Sequence, residues 1–364
     1  MSELPPWAEY ALLPLFNLAA ALLLSGLVIV AVGQDPGTAL TILVGGALGN
    51  QEAIGFTLYY ATTFIFTGLA VAIPFHAGLF NIGGEGQAML GGIGAAMVCL
   101  GLGGAPFWLV LPLALLAATG CGAAWALIPA WLQARRGSHV VITTIMFNFI
   151  AATLLTWLLV ELLIAPGQSA PESRNFDPST WLPSMQTILG ALGIAVSATP
   201  LNLSFFIALA ASALAWLFIW HTAAGYEIRI AGLSEGAARY GGISVERVII
   251  LALCLGGACA GLAAINDVMG AQHRLLLNFT AGSGFIGIAV ALMGRNHPLG
   301  IALAALLFGA LYQGGSELAF EMPNLQRELV VVIEGLIILF CGALENLFRR
   351  PLARLLAPPR AVTP

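Results

Sequence analysis

Phe80-Asn81-Ile82-Gly83-Gly84-Glu85-Gly86-Gln87 puts an acid, two carboxamides and three glycines into sequence that is apolar on both sides. In a water-soluble protein such a stretch would be an ordinary turn. Its meaning changes if the surrounding solvent is lipid, and the rest of the chain decides that point.

The 364 residues are 59% hydrophobic and only 8% charged, with a mean hydropathy of +0.95. Ordinary soluble domains carry about a quarter charged residues. Apolar residues come in blocks of roughly twenty, enough to cross about 30 Å of hydrocarbon as a helix. The alternating, half-polar strands of a β-barrel are missing. The composition therefore predicts an all-α polytopic membrane protein. All thirteen basic residues are Arg. Without Lys the chain cannot build a phosphate-binding P-loop. The five Cys are spread singly through apolar segments and read as small buried hydrophobes. No basic patch points to nucleic acid, and the His residues show no metal-ligand spacing. The start, MSELPPWAEY, lacks the basic region of a cleaved signal, so the first apolar segment is expected to be retained.

About ten apolar segments are predicted, near Ala11–Val32, Phe56–Ile73, Ala88–Leu102, Phe107–Leu132, Val140–Ile164, Leu203–His221, Val248–Ile265, Gly284–Met293, Leu299–Gly314 and Leu329–Leu347. The Arg residues set the orientation. With the N-terminus inside, Arg135, Arg136, Arg229, Arg239, Arg247, Arg295, Arg349, Arg350, Arg354 and Arg360 are cytoplasmic, leaving Arg174, Arg274 and Arg327 outside. Both termini are then cytoplasmic, and the Pro/Ser/Asn-rich stretch of about 166–200 is an external loop. Residues 1–364 read as one transmembrane domain, with the longest charged cytoplasmic loop at about 222–247.

The chain echoes itself. TGLAVAIPF (67–75) runs on to NIGGEGQAMLGGIGAA, and AGLAAINDV (260–268) to NFTAGSGFIGIAVALMG. Each copy is a small-residue helix, an irregular polar stretch, a Gly-x-Gly and a short apolar run. Five crossings apart, the copies would have opposite orientation, the inverted repeat of many transporters, whose short or Gly-interrupted segments mark the substrate site. Segment eight is too short to span alone.

Irregular backbone survives in hydrocarbon only inside protein or beside a water-filled cavity. Gly83, Gly84 and Gly86 are expected to allow positive φ and close helix approach, with Gln87 starting a helix. Glu85 would cap that helix as an N-terminal acid; direct contact with a substrate or proton is the alternative. Phe80, Asn81, Glu85, Gln87 and, in the second copy, Ser283 are candidates for a polar notch in a translocation path; a kinked packing joint is the competing reading. Thr144 and Asn148 share a helix face and suit interhelical hydrogen bonding or substrate contact. Asn266, Asp267 and Asn278 flank the second break, as outer-vestibule residues or loop solvation. Glu334 and Glu345 read as residues of the last segment that pair with neighbouring helices, or, for Glu345, that face the cytoplasmic interface. No motif supplies a catalytic set. Loop 222–247 carries a short helix, Glu235–Tyr240, stopped by Gly241 and Gly242; it is a solvated connector or a docking element for another protein.

At GLAVAIPFHAGLFNIGGEGQAMLGG (68–92), VVITTIMFNFIA (140–151), GYEIRIAGLSEGAARYGGI (225–243), FTAGSGFIGIAVALMGRNHPLG (279–300) and VIEGLIILF (332–340), the chain resembles permease subunits of bacterial ABC importers. The resemblance is to the ribose/branched-chain-amino-acid permease superfamily, and within it to the nucleoside-type permeases that work with a basic-membrane-protein-like lipoprotein. It implies an inner-membrane importer subunit for nucleosides or related small polar solutes. The implied partners are a cytoplasmic ABC ATPase that uses ATP and Mg, a second and different permease chain, and an extracytoplasmic binding lipoprotein; no cofactor is implied in this chain. It also implies that 232–243 is the coupling helix, with Ala237, Ala238, Arg239 and Tyr240 matching its pattern. Ser234, Glu235 and Gly236 stand where Asn, Pro and Glu are usual, and His139 stands where many relatives carry a carboxylate. The competing functions are a ribose-type sugar or amino-acid permease, and an ion-gradient-driven transporter that would not depend on an ATPase.

Overall fold

The structure, a computed structural model, describes residues 12–165 and 167–322, with Val332, Gly335, Leu336 and Leu339. Apart from those four positions, the expected segment Leu329–Leu347, with Glu334, Glu345 and Cys341, lies outside the described residues, as do both termini. Among the described residues all regular structure is helical, and the β-bridges are isolated pairs. In chain order the helices are α1 (Leu13–Ala31), α2 (Pro36–Leu48), α3 (Gln51–Phe75), α4 (Gly84–Gly101), α5 (Phe107–Arg136), α6 (Val140–Leu158), α7 (Met185–Gly190), α8 (Ser204–His221), α9 (Ala223–Leu233), α10 (Glu235–Tyr240), α11 (Val245–Ile265), α12 (Ser283–Met293) and α13 (Pro298–Glu321). Helix α6 runs on into a π-helical turn at Leu159–Leu163, and α11 into one at Asn266–Ala271. With those turns included, α3, α5, α6, α8, α11 and α13 are, among the described residues, the 6 helices long and apolar enough to cross a membrane. This is a multi-pass membrane protein.

Helices α1 and α2 and the end of α13 form one compact unit, and residues 54–309 the other. Helix α2 falls between the first two expected segments, Ala11–Val32 and Phe56–Ile73. Its 13 residues reach about 20 Å at 1.5 Å each, too short to cross the hydrocarbon core. Its start is nonetheless written in the sequence. The Asp35 carboxylate accepts from Thr38 N at 2.8 Å and from the Thr38 hydroxyl at 2.6 Å, and Pro36 takes the first helical position. Those bonds, the hydroxyl's first, hold the Asp35 carboxyl below its ordinary pKa. Gly46 and Gly314 let α2 lie close on α13, beside Glu317 and Leu43.

In the larger unit, α4, α5 and α11 meet backbone to backbone. Gly91 faces Gly261, Gly122 faces Gly257 and Gly261, and Gly94 faces Ala117. Apolar side chains gain nothing from leaving lipid for one another, so small residues that bring backbones together supply the attraction. A methyl at Gly257 would lie 2.6 Å from Ala126 Cβ, and one at Gly261 would strike the Ala118 carbonyl. Gly261→Ala is therefore expected to lower stability by about 1–3 kcal/mol. Gly120→Ala on the open face, with nothing within 4 Å, should be neutral or slightly stabilising. Thermal melts in detergent check the pair, and equal melting would mean that this crossing is loose.

Two long helices each run the length of the unit in opposite senses, and each is followed by a return. Helix α3 starts beside Thr199 and ends at Phe75, after which residues 76–83 double back until Asn81 stands level with Ala70. Helix α4 then leaves toward the opposite end, where Gly104 N donates to Ser179 Oγ at 3.0 Å. Helix α11 starts at the end carrying the Arg135–Glu246 ion pair and finishes under segment 167–203. Residues 272–282 return alongside α4, with Phe279 against Gly92, and α12 runs to Asn296. The predicted loop of about 166–200 is a cap built over α11. Ser173 N donates to Leu275 O at 2.9 Å, Phe176 N to His273 O at 2.8 Å and Leu182 N to Met269 O at 3.1 Å. Trp181 stacks on His273 at 3.9 Å, whose burial lowers its pKa.

Candidate functional site

Helices α4 and α12 both begin inside the protein, and their first turns touch. Gly84 lies against the Gly284 carbonyl, and a side chain on Gly284 would run into Gly84 and the Glu85 backbone. Helix α4 starts at Gly84, three residues before the expected Gln87. Gly83 has φ −79°, and Gly84 and Gly86 are not among the positive-φ glycines. These glycines are needed for space. A Cβ on Gly86 would lie 2.9 Å from both Asn148 Cα and Oδ1, and one on Gly83 would lie 3.1 Å from Thr144 Cβ. Positive φ occurs instead across the junction, at Ala281 (45°) and Gly282 (81°), where the chain turns into α12. For Ala281 that conformation costs on the order of 1–3 kcal/mol and persists because its surroundings fix it.

Glu85 sits in the first turn of α4, but its hydrogen bonds do not go to that helix. Oε1 accepts from Thr280 Oγ1 at 2.5 Å and from Gly282 N at 3.0 Å, and Oε2 accepts from Gly284 N at 2.8 Å. The carboxylate therefore caps α12, in place of its own helix as expected. One buried acid lies between two helix N-termini, each carrying roughly half a positive charge. The start of α4 is served by an amide from α6: Asn148 Oδ1 accepts from Gly86 N, and its Nδ2 donates to Ile82 O, both at 2.9 Å. Asn148 thus makes the interhelical bonds foreseen for it. Its face-mate Thr144, equally buried, bonds only within its own helix, to Val140 O at 2.8 Å.

Asn81 and Gln87 form a reciprocal carboxamide pair. Asn81 Nδ2 donates to Gln87 Oε1 at 3.0 Å, and Gln87 Nε2 to Asn81 Oδ1 at 3.1 Å. Asn81 also donates to Ala70 O at 3.1 Å and accepts from Gly83 N at 3.0 Å. All of these residues are buried. Phe80 is half-buried, edge-on to Phe75 at 6.4 Å. Ser283 opens α12, and its hydroxyl oxygen is buried without a partner among the described residues. Phe80, Asn81, Glu85, Gln87, Thr144, Asn148 and Ser283 therefore gather around one break, where Asn81 and Gln87 bond each other and Glu85 and Asn148 bond the backbone of the helix starts. Asn266 and Asp267 lie elsewhere, at the end of α11. Asn266 Oδ1 accepts from Ser204 Oγ at 2.7 Å and from Asn202 Nδ2 at 3.0 Å, its Nδ2 donates to Thr63 Oγ1 at 2.8 Å, and Asp267 accepts from the Tyr59 hydroxyl.

The charged loop holds two helices, α9 and α10, where one was expected; α10 keeps the expected bounds, Glu235–Tyr240. Ser234 caps it, accepting from Ala237 N at 3.3 Å, and Glu235 pairs with Arg239 at 3.6 Å across one turn. Leu233 and Tyr240 are 84% and 98% exposed, large apolar groups held out into solvent. Ala237 is exposed as well, but Ala238 is fully buried, so it supports α10 from below and is not on its outer surface.

A family model described as "Branched-chain amino acid transport system / permease component" matches residues 53–342. The chain is 35% identical over 339 residues to the glucose ABC transporter permease protein TsgB13 of Haloferax volcanii, covering 92% of this chain and 88% of that one. It is 33% identical over 336 residues to the guanosine ABC transporter permease protein NupP of Bacillus subtilis, covering 92% and 94%. To the nucleoside ABC transporter permease protein NupB of Lactococcus lactis it is 32% identical over 338 residues, covering 90% of each. No solved structure matches the chain.

Proposed function

The chain belongs to the branched-chain amino acid transport system permease family, and on that premise we propose that this ABC transporter permease subunit imports a nucleoside or a closely related sugar-bearing solute. The similarity to guanosine and nucleoside permeases along nine-tenths of both chains carries this reading. The glucose permease fits the same chemistry, because guanosine and glucose share an uncharged, hydroxylated sugar ring. The partners are a cytoplasmic ATPase that binds ATP and Mg, a second, different permease chain and an extracytoplasmic binding lipoprotein. The complex sits in the inner membrane, with the Arg135–Glu246 end and both termini facing the cytoplasm. The 364 residues form one permease domain of about ten embedded segments. The opposed α3–α4 and α11–α12 pairs, each a long helix followed by a return and a helix that starts inside the protein, support an inverted repeat.

In this reading the junction of α4 and α12 is the closed waist of the path. The carboxamides of Asn81 and Gln87 offer paired donors and acceptors, the groups that a hydroxyl or nucleobase edge exchanges. Thr144, Asn148, Ser283 and Phe80 complete the wall, and Glu85 fixes its geometry. Ser234, Glu235, Ala237, Arg239 and Tyr240 form the coupling surface for the ATPase, with Ala238 beneath it.

Reconstituted with its three partners in vesicles, the chain is expected to support ATP-dependent guanosine uptake that vanishes when the ATPase subunit is omitted. Uptake of glucose but not guanosine would replace the nucleoside reading with the sugar one. Uptake indifferent to the ATPase would refute both. Cysteines placed singly at Asn81 and Gln87, in a background cleared of the native five, are expected to react with small polar thiol reagents in at least one transport state. Inertness in every state would leave the junction a packing joint.

A further inference from the structure

His76 follows the last residue of α3, in FHAGL (75–79), and three parts of the protein converge on it. The first is the chain itself: the turn at Ala77 and Gly78, the latter at φ +74°, leads through Leu79 into the Asn81–Glu85 junction. The second is the end of α9. Gly232 lies flat on this turn, and a Cβ there would be 2.9 Å from Gly78 N and closer still to the His76 carbonyl. Gly232 is two residues before Ser234, the cap of α10. No side chain intervenes between these backbones, so a displacement of α10's base has no rotamer to absorb it.

The third is the turn that closes α12. His76 Nε2 bonds the Asn296 carbonyl at 2.9 Å, and Arg295 and Asn296 hold φ of 53° and 55° without being glycines. Backbone of this kind persists only where neighbours fix it, and the imidazole is one such neighbour. Trp220 of α8 lies between the two rings of this corner, 5.1 Å from His76 and 5.0 Å from His297. Asn296 is itself buried, and its side-chain oxygen has no partner among the described residues.

We propose that His76 is the positioning residue through which movement of α10 reaches both helices of the junction, α4 through the covalent turn and α12 through the bond to Asn296. This rests on the assignment of α10 as the coupling helix. Burial, with Arg229 of α9 and His297 of the α12–α13 turn nearby, lowers the His76 pKa, although the Asn296 bond opposes the shift. The ring is neutral near pH 7, and Nε2 carries the donated proton. Acidification adds a charge beside Arg229 and His297, with Arg295 on the same turn, and is expected to loosen the corner. From helix α8 the uncharged Trp220 packs on the ring, and the titratable His221 that follows it lies against Trp216.

The test uses the assembled importer in vesicles, in a cysteine-free background with Ser283→Cys as reporter, and reads ATP hydrolysis together with the ATP-dependent change in thiol labelling. His76→Phe keeps an aromatic ring against Trp220 but cannot donate to Asn296. It is expected to hydrolyse ATP within about twofold of the parent while the labelling change falls at least about tenfold. His76→Gln, with an amide N–H able to reach Asn296, should restore most of the change and remove its decline at acid pH. A full labelling change in His76→Phe, or a His76→Gln as defective as His76→Phe, overturns the proposal. Should His76→Phe not assemble, His76→Asn, whose shorter amide cannot reach, is read by the same criteria. Arg239→Glu with Tyr240→Asp runs in parallel. If that pair leaves the labelling change intact, the coupling assignment falls; if it abolishes the change and His76→Phe does not, only the role of His76 falls.

Discussion

Glu85→Gln is expected to abolish ATP-driven uptake and to destabilise the protein by about 2–4 kcal/mol, since hydrogen bonds to a charged group are worth about 1.5–3 kcal/mol each. Glutamine fits the space, so the effect is chemical. The carboxylate accepts on both oxygens, from the Thr280 hydroxyl, Gly282 N and Gly284 N. An amide keeps one acceptor and turns its NH2 toward a backbone N–H. One donor at the start of α12 is then left buried and unpaired, and the charge facing two helix N-termini is gone. Glu85→Asp keeps the charge but withdraws it by one methylene, so it should fall between the two. Thermal melting in detergent and vesicle uptake of guanosine read the series. A Glu85→Gln protein that melts and transports like wild type would show that the carboxylate does not hold the junction together.

The second large effect is expected at α10. Arg239→Glu combined with Tyr240→Asp should reduce uptake more than about tenfold and release the ATPase during purification, because buried Arg and Tyr anchors each cost about 2 kcal/mol or more when lost from an interface. Both side chains point into solvent; Tyr240 is 98% exposed and the Arg239 side chain 70%. The ion pair to Glu235 is too exposed to contribute much stability, so the helix should survive the change. Ala238 is unsuitable for this test. It is fully buried, and an acid there would unseat α10 before any contact with a partner was measured. Ligand affinity of the separate binding protein should stay constant. Normal insertion, ATPase retention and uptake in the double variant would remove α10 from the coupling role.

The sequence announced what depends on neighbouring residues and missed what depends on distant ones. Ser234 and the paired glycines after Tyr240 delimit α10 locally, and its bounds were legible. The interruption at 80–87 was equally plain, because glycines and an acid have no other reason to stand in an apolar run. The partners of Glu85 were not legible: its donors lie 195 to 199 residues further on, and an acid in a first turn reads as serving its own helix. The cap at 167–203 looked like a loop because its attachments to Met269, His273 and Leu275 are largely backbone bonds, which leave no side-chain pattern. Helix α2 escaped for want of length. His76 stood out for neither charge nor metal spacing, and only packing reveals what it touches.

The meeting of α4 and α12 bears on a demand that any importer of uncharged solutes faces, which is to pass its cargo without short-circuiting the membrane potential. A sodium ion or hydronium travelling through a protein needs lone pairs to replace its water. At this junction two helix N-termini converge with their positive dipole ends, and both oxygens of the one carboxylate between them accept hydrogen bonds, from Thr280, Gly282 and Gly284. A neutral, hydroxyl-bearing molecule can trade hydrogen bonds with amide donors. On the proposed reading a small cation would meet the positive helix ends and be turned back, as at the half-helix ends of water channels. If the junction is the waist of the path, as proposed, the arrangement that joins the two helix starts would also provide electrical insulation.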